Sequence, residues 1–274
     1  MKNSLQIKYG WSLLKFYALR TLPMWCLIAL MIFLVQVAVC GMVHDNKKLS
    51  AMLGMLDLFP FMKTALGGDY LQAGNIPALL TVGYKHPFVL FLYMFFAVSV
   101  PTGLLAGEVQ KGSMELILSR QISKMQVFIC AGLITVTGMF ALVMIMFLGT
   151  VTSIHIFDFG KHIHLGMFFR IAIDGGIFAS TIGAIALLCA ALFSSRNIAS
   201  GIAVTFLVVN YFISIFSEWW PRMAFLKDAT IFKYIAGEEI ITGWPIRDML
   251  ALTVIFLIAV ISGAIIWKRR DLPL

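Results

Sequence analysis

Charge is what this chain has least of. Charged residues make up 12% of its 274 positions, against 61% hydrophobic, and acidic residues number only 13. A soluble domain carries about a quarter charged residues, so the bilayer rather than water has to be the main solvent. Cysteine is scarce as well. Cys26, Cys40, Cys130 and Cys189 all lie in apolar stretches without CxxC spacing, which points to small buried hydrophobes and away from a disulfide framework or a thiolate metal site. There is no internal repeat, no low-complexity tract and no soluble domain. No basic, aromatic-interleaved module is present to hold a nucleic acid, and no phosphate-binding Gly-x-x-x-x-Gly-Lys-Ser/Thr loop occurs. Gly107 and Gly112 have the glycine spacing, but Ser113 follows where lysine is required.

What is there is apolar length. Six runs free of Asp, Glu, Lys and Arg stand out at 21–43, 87–107, 125–154, 175–195, 197–217 and 249–267. A crossing helix needs roughly 20 apolar residues. The expected fold is therefore an all-α integral membrane protein, one transmembrane domain over 1–274. Its spans fall at about 21–43, 87–107, 126–150, 170–193, 198–217 and 249–267. A seventh stretch, 70–84, contains Gly74, Asn75, Pro77 and Gly83; it reads as too short and broken to span, hence interfacial or re-entrant. The first span follows a basic lead and is read as retained rather than as a cleaved leader.

Lys and Arg set the orientation. Both termini are basic, and together with Lys111, Arg120, Lys124 and Arg196 they place 11 cations on one side within about 50 residues. The other side holds 10 in nearly twice that length, with most of the acids. Positive-inside reasoning puts both termini in the cytoplasm, so the net charge of +8 is explained by topology. In the lead, Leu5, Tyr9, Leu13 and Phe16 recur at helical spacing beside Lys8, Ser12 and Lys15, as in an amphipathic helix on the membrane surface. Residues 49–66 read as a surface helix ended by Gly67-Gly68 and kinked at Pro60. The aromatics Trp219, Trp220, Tyr234 and Trp244 favour the interface, where 218–248 can dip as short helices.

One stretch breaks the apolar pattern: 107–124, GEVQKGSMELILSRQISK, between the second and third spans. From Gly112-Ser113 onward, Met114, Ile117, Leu118, Ile122 and Met125 form one apolar stripe, and Glu115, Ser119 and Ser123 recur on another face. That pattern suits a short helix lying under the membrane with a polar face to the cytosol; a solvated loop with one helical turn is the plainer alternative.

This stretch resembles the hallmark of ATP-binding-cassette (ABC) exporter permeases of the type-2 family. Their insert reads Glu, a few residues, Gly-Thr-Leu-Glu, Leu-Leu, Ser, then Pro-Val/Ile-Ser-Arg. Glu108, Gly112, Glu115 and Ser119 match it, and Ser123-Lys124 stands for Ser-Arg. Ser113-Met114 replaces Thr-Leu, Gln121 replaces the proline, and Ala131 stands where lysine is common. The overall plan is similar to the six-span, single-domain branch that includes antibiotic-exporter and copper-enzyme-maturation permeases. The resemblance implies a multi-pass permease of a bacterial cytoplasmic membrane, paired as a homodimer and docked to two copies of a separate ATPase subunit. ATP and Mg belong to that subunit, so this chain binds no cofactor and is not itself an enzyme. It further implies that Glu108, Lys111, Gly112, Glu115, Ser119, Ser123 and Lys124 couple to the ATPase. The cargo is expected to be apolar or amphipathic, because no span carries a row of charges for an ion.

Other candidates weigh less. Arg170 and Asp174, one turn apart in the fourth span, are either a structural i,i+4 pair, the favoured reading, or groups on a translocation path. Pro101, followed by Gly103 and Gly107, is either a hinge above the insert or a tolerated proline. Gln36 and Asn210 are lone polar residues in spans, suited to interhelical hydrogen bonds or to substrate contact. His155, Asp158, His162 and His164 match no fixed metal spacing, and Met52, Met55 and Met62 read as apolar facing, which leaves copper-related cargo a minor alternative. A stand-alone secondary transporter or channel predicts several ionisable groups at mid-membrane, of which only Asp174 qualifies in part. An intramembrane enzyme needs convergent catalytic groups that the spans lack.

Overall fold

Every regular element in the computed structural model is helical. It describes residues 2–58, 76–159, 163–235, 240 and 243–271, and no strand occurs among them. In chain order the helices are α1 (Lys2–His44), α2 (Asn46–Leu58), α3 (Ile76–Lys85), α4 (Pro87–Leu104), α5 (Ala106–Gln110), α6 (Ser113–Leu118), α7 (Lys124–Ile156), α8 (Leu165–Leu192), α9 (Arg196–Trp219) and α10 (Ile246–Arg269). Two 3-10 segments, Pro221–Ala229 and Ile231–Tyr234, join α9 towards α10. Six helical stretches are long and apolar enough to cross a membrane: Tyr9–His44, Ile76–Leu104, Lys124–Ile156, Leu165–Leu192, Arg196–Ser217 and Ile246–Arg269. The protein is a multi-pass membrane protein.

α8 is the hub. It packs against α4, α7, α9 and α10, and it is the most deeply buried of the six stretches. Small residues let its neighbours approach: a Cβ on Gly176 would lie 2.6 Å from the Phe140 ring, and one on Gly183 would lie 2.7 Å from Thr135 Cγ2. Within lipid, close backbone approach of this kind replaces the hydrophobic drive that packs helices in water. The outer helices α1, α9 and α10 show the reverse of a soluble surface. Leu27, Leu30, Leu34, Phe206, Val209, Leu257, Ile258 and Ile261 are exposed on them, as lipid-facing side chains should be.

The amphipathic lead and the first span are one helix. α1 runs unbroken through Pro23 for 43 residues, about 64 Å at 1.5 Å per residue. It lies parallel to α7 along most of its length. Cys130 Sγ lies 3.6 Å from Gly10 O, Trp25 Nε1 donates to Gly138 O at 3.0 Å, and Gln36 Nε2 donates to Thr150 Oγ1 at 2.9 Å. The lead therefore stands against the start of α7, with Leu13 and Tyr17 buried, instead of lying apart as a surface element.

The stretch expected to be interfacial or re-entrant forms α3 from Ile76 onward, and it is buried: Leu79 and Leu80 are fully enclosed, with Val82 and Tyr84 nearly so. Pro77 does not break it because it sits in the first turn, where no intrahelical N–H bond is lost. A single non-helical residue, His86, separates α3 from α4, and its Nδ1 accepts Phe88 N–H at 3.3 Å. α2 covers the described part of the surface helix expected at 49–66. Asp45 starts it by accepting the amides of Lys47 and Lys48, bonds that hold its carboxyl below the usual carboxylate range, the Lys48 amide most of all. Pro60, Met62, Gly67-Gly68, Gly74, Asn75 and His162 lie outside the described residues.

The segment after α9 dips as short turns. Phe232 inserts between α8 and α9, edge-on to Phe178 and Tyr211, while Trp219 and Trp220 stack at 5.9 Å and remain exposed. Asn210 anchors this segment, its Oδ1 accepting Ile231 N–H at 3.3 Å.

Candidate functional site

The insert between α4 and α7 is built from α5, α6 and two turns. α4 ends at Leu104, and Leu105, whose N–H still bonds to Pro101 O at 2.9 Å, leads into α5. Pro101 itself is buried inside α4, and the break in the helix falls four residues later, at Leu105. On α5, Glu108 points inward and is 5% exposed. Its carboxylate pairs with the Arg20 guanidinium from α1 and accepts the Ser113 hydroxyl from the start of α6. One carboxylate thus ties three elements together. Tyr17, one turn before Arg20, is fully buried beside this junction.

Gly112 joins α5 to α6 at φ 73, the left-handed region that an L side chain enters only with strain. The apolar stripe behaves as its periodicity predicts. Met114 is fully buried, Ile122 nearly so, and Ile117, Leu118 and Met125 pack against the core. The opposite face is open: Lys111, Glu115, Ser119 and Arg120 are exposed, and so is Leu116 at 70%.

The helix is shorter than the stripe. It stops at Leu118, and the chain turns through Gln121 at φ 59 before α7 begins. Ser123 caps α7 in a reciprocal capping box with Gln126: Ser123 Oγ accepts Gln126 N–H at 3.2 Å, and Gln126 Oε1 accepts Ser123 N–H at 2.8 Å.

Both ends of the insert are tied to distant parts of the chain. At its start, Gln110 Oε1 accepts the Arg196 N–H at 2.7 Å and so holds the beginning of α9, while the Arg196 side chain lies along Gly103 and Gly107. At its end, Lys124 Nζ donates to Arg270 O at 3.0 Å, and Trp267 Nε1 donates to Lys124 O at 2.8 Å. Arg270 in turn donates to Ala191 O at 2.8 Å and to Ser194 Oγ, satisfying an otherwise orphaned carbonyl at the end of α8. A stretch of fewer than 20 residues therefore touches α1, α9 and α10 directly, and α8 through Arg270.

The predicted coupling residues separate into two sets. Glu108, Ser123 and Lys124 are engaged inside the chain, whereas Lys111, Gly112, Glu115 and Ser119 lie on the exposed side. Arg20, Gln110 and Arg270 were not singled out from the sequence for any such role, because nothing local marks them.

Away from the insert, Asp174 is fully buried on α8, with Arg170 half-buried one turn earlier. Met55 is exposed, and so are His155, Asp158 and His164. Among the described residues no three His, Cys, Asp or Glu side chains gather as a metal site. Cys40, Cys130 and Cys189 are buried free thiols, but Cys26 is exposed on the outer side of α1. Its apolar neighbourhood faces outward, not into the core. No family model matches the chain, and no curated protein matches it.

Proposed function

We propose that this protein is the permease subunit of an ATP-driven exporter of the type-2 ABC kind, with both termini and the insert in the cytoplasm. Two copies pair in the cytoplasmic membrane, and each receives force from a separate ATPase subunit that holds ATP and Mg. The cargo is apolar or amphipathic, since the spans carry no row of charges for an ion. The observation that supports this reading most is the wiring of the insert. Its exposed face, Glu115, Leu116, Ser119 and Arg120, is free to meet a partner, while its two ends are bonded to α1, α9 and α10. A push on such an element reaches several spans at once, which is what biasing a two-state bundle requires.

The experiment is co-purification from the native host followed by an ATPase assay on the complex. An ATPase subunit should be retained by the wild-type chain. Glu115→Lys, which reverses charge on the exposed face without touching the buried clamp, should detach or uncouple it while membrane abundance stays unchanged. A wild-type chain that neither retains an ATPase nor alters its turnover overturns the reading. A fully active Glu115→Lys chain removes the insert from it. The buried carboxyl of Asp174 favours one other reading, a stand-alone secondary transporter, because an ionisable group at membrane depth is a functional candidate. That reading predicts transport driven by an ion gradient in the purified chain alone.

A further inference from the structure

At the end of the bundle remote from the insert, α3 is held by a compact polar network inside apolar surroundings. Gln36 of α1 is fully buried, and its Nε2 donates to Leu80 O of α3 at 3.2 Å and to Thr150 Oγ1 of α7 at 2.9 Å. Thr150 also bonds the Tyr84 hydroxyl of α3 at 2.8 Å and donates to Met146 O at 3.3 Å. Thr150 thus accepts two bonds and donates one. Gln36 Oε1 finds no hydrogen-bond partner among the described residues and lies against the Gly83 backbone, where a Cβ would sit only 1.9 Å away.

Two features set α3 apart from an ordinary span. It supplies only the first ten residues of the 29-residue stretch Ile76–Leu104, too few to cross a bilayer alone, and it is buried on nearly all sides. It is also joined to α4 by one extended residue, His86 (φ −59, ψ 128), ahead of Pro87, which has no N–H to give. Rotation about the His86 N–Cα bond leaves the Val89 and Leu90 amides on His86 O, so α3 can move there without loss of a backbone hydrogen bond of α4. Leaving the bundle would cost it only side-chain bonds and apolar contacts that lipid can replace.

We propose that α3 is a removable plug at this end of the bundle, with the Gln36–Thr150–Tyr84 network as its latch. Release of the latch swings α3 out about His86 and uncovers Gln36, Thr150 and the Cys40 thiol, which is fully buried and 3.6 Å from Gln36 Nε2. The plug belongs to this chain alone, so its test needs no partner subunit.

Cys40 serves as the built-in reporter. In a chain with Cys26, Cys130 and Cys189 replaced by alanine, reconstituted in lipid nanodiscs, the rate of Cys40 modification by a charged, water-soluble methanethiosulfonate is measured. Gln36→Leu keeps bulk but removes the latch bonds. It should speed modification about tenfold, the factor that two or three interhelical hydrogen bonds supply in a membrane. Thr150→Val, which keeps the shape and removes the hydroxyl, should act in the same direction and covers the case in which Gln36→Leu fails to fold. A parallel chain carrying only Cys189, on α8, should show no change with either substitution. Unchanged Cys40 rates in the folded variants overturn the proposal. Equal acceleration at Cys40 and Cys189 also overturns it, because the bundle has then loosened as a whole.

Discussion

Gln121 stands at φ 59, in the place where the type-2 insert carries proline. Proline is locked near φ −65°, so it cannot occupy this turn. The chain reaches the same end, a sharp reversal between α6 and α7, by a left-handed residue followed by the Ser123 cap. Placing a proline at this position should therefore harm this protein. Gln121→Pro is expected to lower the thermal unfolding midpoint of the detergent-purified chain by the equivalent of more than about 1 kcal/mol. Gln121→Gly, which relieves the left-handed strain, should match or exceed wild type by up to about 1 kcal/mol. A stable Gln121→Pro chain would mean that the turn is not built as described.

At the scale of elements, the junction of α1, α5 and α6 rests on the Arg20–Glu108–Ser113 contact. Removing one partner leaves a buried carboxylate without its cation, a change that costs several kcal/mol in a dry interior. Arg20 is 36% exposed, and water moderates the loss, so Arg20→Met should destabilise by about 2 kcal/mol. Arg20→Met combined with Glu108→Met should recover part of that loss, because no charge is left stranded. Thermal unfolding of the two single variants and the double variant checks this, and strict additivity would deny the pairing. The same junction shows what the sequence could and could not disclose. The apolar stripe from Met114 to Met125 and the six long apolar stretches are local patterns, and both were legible. The partners of the insert lie 88 residues away at Arg20 and 146 at Arg270, and no local periodicity announces pairings at that separation. The burial of α3 is hidden from the sequence for a related reason. Pro77 and Gly83 look like breakers until Pro77 is seen in a first turn and Gly83 is seen to make room for Gln36.

At the scale of the molecule, the hydrogen bonds decide which charges share an end. Arg20 meets Glu108, the start of α9 meets Gln110, and Arg270 meets Lys124, so the insert, the beginning of α9 and the end of α10 converge on one side. That end gathers Arg20, Lys111, Arg120, Lys124, Arg196, Lys268, Arg269 and Arg270, with Glu108, Glu115 and Asp271 as its nearby acids. The opposite end mixes Lys47, Lys48, Lys85, Arg222 and Lys227 with Asp45, Asp158 and Asp228 over longer connections. Each Lys or Arg near an anionic leaflet is worth about 1 kcal/mol, and the excess on short connections sets orientation. The insert end should therefore face the cytoplasm. In a cysteine-free background, Lys111→Cys and Lys268→Cys should react with a membrane-impermeant maleimide only after intact cells are permeabilised, and Lys47→Cys should react before. Placing the reporters on both α10 and the insert matters, because their agreement tests the even number of crossings separately from the direction of the whole. If Lys111→Cys and Lys268→Cys label from opposite sides, one of the last four apolar stretches does not cross. If both label from outside, the exposed face of the insert is turned away from any cytoplasmic ATPase, and the proposed partner has no surface to meet.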